Sequence, residues 1–146
     1  MKKPLLTGAF LAAAFAAGFV ARDLVPGTAV AHAQAGARVF ELRTYTAPEG
    51  KLENLHARFR DHTMRLFRKH GMTSVVYFRP QDAPLSQNTL VYLMAYPSRE
   101  AATASWNAFR NDPDWKKVVA ETQANGPIVA NVQSVFLTPT DYSPMK

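Results

Sequence analysis

Glu41, Arg43 and Tyr45 stand at alternate positions in the run VFELRTYTAPEGK, an acid, a base and a phenol in one row. Alternate residues of a strand share a face, so this row sets a carboxylate, a guanidinium and a hydroxyl side by side. One use of it is binding: Arg43 takes an anionic substrate group while Tyr45 or Tyr96 donates a hydrogen bond. The other is an ion pair of Arg43 with Glu41 that fixes register between strands or subunits. His56, His62 and His70 follow, with no two spaced i,i+4, so the usual helical metal pair is missing and no metal is expected. Among them His62 is the candidate base or haem ligand, because it sits at the edge of an apolar stripe, within reach of both pocket and water. Tyr45 is the second catalytic candidate. Arg43, Tyr96 and Trp106 are the candidate ligand-binding residues, Trp106 also being readable simply as core.

The elements that must position these residues follow from periodicity. Residues 38–46 read as a first strand, broken by APEG. Leu52, Leu55, Phe59, Thr63, Leu66 and His70 then mark one face of a helix, with Arg58, Asp61, Arg65, Arg68 and Lys69 on the opposite, solvated face. Gly71 ends it. Residues 72–79 form a second strand, PQDAPLSQ a connection, and residues 88–96 a third strand, apolar on both faces and so central. Ser98 caps a second helix whose buried stripe is Ala102, Ser105, Trp106 and Phe109. Asp112 and Pro113 open a further helix to about Thr122. Its Trp115 is fully accounted for as a packing anchor. A last strand spans residues 128–137, and the proline-rich TPTDYSPMK does not continue it.

The order β-α-β-β-α-β predicts an α+β, ferredoxin-like domain with the first and third strands central and helices on one face of an antiparallel sheet. If Phe40, Leu42, Val91, Leu93 and Ala95 face the helices, then Leu90, Tyr92, Met94 and Tyr96 share the far face with Glu41, Arg43 and Tyr45. A face half aromatic and half charged is too apolar for water. The expectation is that a twin sheet from a second subunit covers it, closing a barrel across a two-fold axis.

The bulk properties exclude several classes. Lys2 and Lys3 precede the apolar run LLTGAFLAAAFAAGFVA, and AHAQAGA supplies small residues for cleavage after Ala33 or Ala35, a bacterial-type export signal at 1–35. The run is short of the roughly 20 strongly apolar residues of a spanning helix, so a membrane is met only through an uncleaved signal. The remaining domain, 36–146, is expected to be periplasmic or secreted. Lys2, Lys3, Arg22 and Asp23 leave with the signal, which takes the net charge from +6 to +4 and argues against a nucleic-acid partner. The absence of cysteine excludes disulfides, a thiol nucleophile and thiolate metal sites. No glycine-rich phosphate loop, G-x-S-x-G or H-E-x-x-H motif occurs, and no glycosidase-like carboxylate pair stands out.

FELRTYTAPEGKLENL, YPSREAATASWNAFRNDPDW and the closing LTPTDYSP together resemble the NIPSNAP family. The most specific parts are Arg43-Thr44-Tyr45, Pro48 and Gly50, Ser98-Arg99-Glu100, and Trp106. The resemblance implies a dimeric α+β barrel over essentially the whole exported domain. It implies no established catalytic residue, and the superfamily around it includes cofactor-independent monooxygenases, haem-degrading enzymes and polyketide cyclases. The expectation is therefore a homodimeric small-molecule binding or interaction module, without a cofactor, for a small apolar or aromatic ligand. The alternative is a cofactor-independent monooxygenase or isomerase-like enzyme on an aromatic or quinone-like substrate, with Arg43, Tyr45, His62 and Trp106 around the pocket; a haem-binding variant uses a helix histidine.

Overall fold

The structure is a computed structural model that describes residues 38–145; the export signal expected at 1–35 lies outside the described residues. The observed elements are β1 (Val39–Thr46), α1 (Leu52–Arg58), a π-helical turn (Phe59–Thr63), α2 (Met64–Lys69), β2 (Thr73–Phe78), β3 (Thr89–Tyr96), α3 (Arg99–Asn111), α4 (Pro113–Thr122) and β4 (Asn131–Leu137). The sheet order is β2-β3-β1-β4, antiparallel throughout, with β1 and β3 central. This is the expected ferredoxin-like α+β topology. β4 starts three residues later than expected, at Asn131, because the chain from Gly126 to Ala130 is irregular, with bends at Ile128 and Ala130.

Local chemistry explains the boundaries. The Ser98 hydroxyl accepts from the Ala101 amide and caps α3, and the Asp112 carboxylate accepts from the Asp114 amide and caps α4 with Pro113 at its first position. Gly71, at φ +69°, takes the left-handed conformation that ends α2. The first helix is where the sequence pattern misleads. α1, the π turn and α2 run on as one rod, but the π turn inserts a residue, and the Thr63 hydroxyl donates to the Arg58 carbonyl five residues back. The expected stripe of Leu52, Leu55, Phe59, Thr63 and Leu66 is buried, and so is Arg58, expected on the solvated face and only 5% exposed.

Cross-strand partners share a face, and the registers group the strands as the alternation predicted: Glu41 with Met94, Arg43 with Tyr92, and Tyr45 with Leu90. The face they occupy is the opposite of the one expected. Tyr92 packs edge-on against Phe59 at 5.2 Å, and Trp106 of α3 donates to Glu41, so the polar row lies beneath the helices. The uncovered face carries Leu42, Val76, Phe78, Val91, Leu93, Val135 and Leu137. Phe40 and Ala95 lie on that face yet are buried. The tail returns over its end, where Phe40, Leu93, Leu137, Pro139, Ser143 and Met145 line a small cavity of about 180 Å3.

The core under the helices is aromatic: Phe67 meets Trp106 at 5.4 Å and Phe109 at 5.0 Å, and Phe109 meets Trp115 at 4.3 Å. Asp112 fastens the two helical layers together. Besides capping α4, it accepts from Lys69 at 2.8 Å and pairs with His70 at 2.6 Å, both at the end of α2. Replacing Asp112 with Ala removes a cap and both cross-links at once, and is expected to lower the melting temperature by several degrees; Asp112→Asn, which keeps a capping oxygen, should lower it less. Thermal unfolding followed by circular dichroism measures the difference.

Candidate functional site

The row on β1 is built into a closed network around Glu41, which is 1% exposed. Its Oε1 accepts from Arg43 Nη1 at 2.5 Å and from the Ser134 hydroxyl of β4 at 2.5 Å. Its Oε2 accepts from Trp106 Nε1 of α3 at 2.7 Å and from the Tyr96 hydroxyl of β3 at 3.1 Å. Burial alone would raise the Glu41 pKa, but the Ser134 and Trp106 hydrogen bonds, with the charge of Arg43, outweigh it and hold the carboxyl below its ordinary value. Burial and then the adjacent carboxylate push the Tyr96 phenol well above its ordinary value, so it stays protonated and donates. A carboxylate with four donors and a phenol locked as a donor are not available for proton transfer.

Arg43 is held on three sides. Its guanidinium lies 4.1 Å over the Trp106 ring and 5.5 Å from the Tyr45 ring, and Nη2 donates to the Tyr45 hydroxyl at 3.4 Å. The Arg43–Glu41 pair foreseen as one use of the row is therefore present within one strand. Tyr45, Tyr96 and Trp106 converge on it. His62 does not belong to this group: it lines a cleft between α1, the π turn and the end of α4, with Asn54, Arg58, Asp61, Glu121, Thr122 and Asn125. The cleft measures about 240 Å3. His70 bonds Asp112, as described above.

Two residues of the interior were missed by sequence reasoning, Arg58 and Tyr92. Arg58 stacks 5.2 Å from the Trp115 ring, and the phenols of Tyr45 and Tyr92 lie near enough to act on its charge. Burial lowers its pKa, yet a guanidinium stays protonated. Among the described residues no carboxylate forms a salt bridge with it, and its Nε is buried with no hydrogen-bond partner. Arg43 Nε and the Tyr92 hydroxyl share that condition. Tyr92 is fully buried and lies close enough to Tyr45 and Arg43 to feel both, without a hydrogen bond of good geometry. For Arg58 no sequence signal existed, because the π turn that buries it leaves the apolar stripe intact; for Tyr92 the signal was strand alternation, which set it on the face of Arg43.

The fold and this interior define an α+β domain of ferredoxin-like topology, with a buried acid–guanidinium–phenol network between sheet and helices. The NIPSNAP family model matches residues 40–144, and the chain belongs to the NIPSNAP family. It is similar in structure to an uncharacterised NIPSNAP-like domain protein from Burkholderia xenovorans, at 21% identity and TM-score 0.65, over 75% of this chain and 90% of that one. A NIPSNAP family protein of unknown function from Agrobacterium tumefaciens superposes with TM-score 0.66 at 19% identity, over 76% of this chain and 96% of that one. No curated protein matches the chain.

Removing the Glu41 carboxylate strands four donors. Glu41→Ala is expected to destabilise the domain by about 3–5 kcal/mol, as breaking a buried ion pair does. Because the folded-state pKa is depressed, Glu41 contributes stability that is present above its ordinary value of 4.5 and is lost as pH falls toward the folded value. Urea unfolding across acid pH should therefore show a slope that Glu41→Gln flattens; an unchanged slope would mean the network does not hold the charge.

Proposed function

We propose that this chain is an exported, homodimeric small-molecule binding or interaction module rather than an enzyme. The observation that carries the reading is the saturation of Glu41. The residues best suited to chemistry, Glu41, Arg43, Tyr96 and Trp106, are engaged with one another, and His62 lines a separate cleft. The monooxygenase-like alternative needs His62 or a free tyrosine beside Arg43, but His62 lines another cleft and the Tyr45 and Tyr96 hydroxyls are hydrogen-bonded to Arg43 and Glu41. Arg43 thus acts as a packing and network residue; Tyr45 and Trp106 form its aromatic seat.

Self-association draws support from the sheet. Phe78 is 55% exposed and Val135 53% exposed on the face away from the helices, and no charged side chain from β1 or β3 interrupts that face. A second copy, laid across a two-fold axis, covers the same patch with itself. The partner sheet meets apolar residues and not the charged row, a different barrel lining from the one the alternation of residues suggested. Export rests on the basic start, the apolar run and the small residues before Gly36, and places the protein in the periplasm or outside the cell.

Native mass spectrometry of the protein purified from its own host tests all three parts together. The expected result is a dimer of chains starting at Gln34 or Gly36, carrying a retained small molecule. A monomer of the full-length chain, empty at every dilution, overturns the reading. Phe78→Asp and Val135→Asp, both at exposed positions, should leave the fold intact while converting the dimer to a monomer in sedimentation velocity; dimers that survive both would place the contact elsewhere.

A further inference from the structure

Among the described residues Arg58 is a buried cation in no salt bridge, and it lines an open cleft. Taking a guanidinium out of water without an anionic partner is costly, and natural folds satisfy such donors with protein, water or ligand. The Arg43 guanidinium has Glu41; Arg58 has the face of Trp115 and the phenols of Tyr45 and Tyr92, none of which is an anion while protonated. Both oxygens of Glu41 are already filled, so Arg58 cannot borrow that charge. The other buried carboxylate, Asp112, is taken up by Lys69, His70 and the start of α4.

The surroundings of Arg58 have the composition of a small-ligand site. Asn54, Thr122 and Asn125 bring amide and hydroxyl groups to the cleft, and His62 adds a ring nitrogen. Asp61 and Glu121 also line it, but both are exposed, and Glu121 lies 3.8 Å from Lys117. The cleft's volume, about 240 Å3, falls below the roughly 300–1,000 Å3 of pockets that take drug-sized ligands, so its occupant is small. Two rim carboxylates also repel a multiply charged anion more than a single charge. The π-helical turn begins directly after Arg58, and such turns are found frequently at functional sites.

We propose that the cleft between α1, the π turn and α4 binds a small monocarboxylate, whose charge is met by the buried Arg58. This rests on the binding-module reading and names the site and the ligand's class. The second unfilled guanidinium nitrogen, on Arg43, and the Tyr92 hydroxyl sit on the sheet side of the same interior.

Benzoate, with benzamide as its uncharged counterpart, is the probe. Trp115 beside Arg58 and Trp106 beside Arg43 report on the site through their fluorescence, and calorimetry gives the affinity. Benzoate should bind saturably to the full chain and raise its melting temperature, and benzamide should bind at least about tenfold more weakly, since a hydrogen-bonded charge is lost. Arg58→Met should lose benzoate binding by a similar factor while melting no lower than the parent without ligand, because it removes an uncompensated charge. Arg58→Lys keeps the charge and should retain weakened binding, which covers the case in which Arg58→Met does not fold. Equal binding of benzoate and benzamide, binding unaffected by both Arg58 variants, or no saturable binding of benzoate overturns the proposal. If the host-purified protein retains a neutral molecule that Arg58→Met does not displace, the binding module stands and the carboxylate site falls.

Discussion

One carboxylate joins more of this fold than any apolar contact does. Glu41 sits on β1, and its four donors come from β1, β3, β4 and α3. A hydrophobic core resists separation but is tolerant of sliding, whereas four directed hydrogen bonds to one buried ion define where three strands and a helix must meet. The stabilisation is not large in proportion: burying the ion is costly, and the hydrogen bonds mainly offset that cost. Its effect is on uniqueness. Moving β4 by one residue would turn Ser134 to the other face and place Gln133 or Val135 opposite Arg43, so the register of the edge strand is fixed by the same group that orients Trp106.

From that constraint follows the division of the sheet into two unlike faces. Under the helices lie the charged row and the large aromatics, each polar tip engaged or close to another polar group. On the far side lie Leu42, Val91, Leu93, Val76 and Val135, which make no polar demands and have no helix above them. The tail deals with one end of this face by returning Pro139 and Met145 over Phe40 and Leu93. The middle and the β2 and β4 margins are left to solvent or to another molecule.

Much of this could be read from the residues, and the failures have physical causes. Alternation gave the correct sets, Glu41-Arg43-Tyr45 with Tyr92 and Tyr96 and Phe40-Leu42 with Leu93, because strand parity is geometric. It gave the wrong orientation because polarity was taken as a sign of the outer face. Trp106 held the missing clue: a tryptophan on a buried helical stripe needs an acceptor for its indole N–H, and on β1 a carboxylate at Glu41 is a stronger acceptor than anything Phe40 or Leu42 offers. The caps at Ser98 and Asp112 were legible because capping depends on a residue and its near neighbours. Arg58 was not legible, since a π turn changes which residues point inward without changing the sequence of apolar positions by more than one place.

Among the described residues Arg58 is buried without the carboxylate partner that Glu41 gives Arg43. Glu41 has every lone pair directed at a donor, which is the arrangement of a group whose role is structural. Arg58 has a ring beneath it, a cleft in front and, among the described residues, no carboxylate partner, which is poor design for a structural group. A leucine or methionine there would pack against Trp115 without desolvating a cation. Arg43 and Arg58 both lie near Tyr45 and Tyr92, one closed and one open, and are better explained by different roles than by one. The closed one holds the sheet to α3; the open one lines the cleft between α1, the π turn and the end of α4.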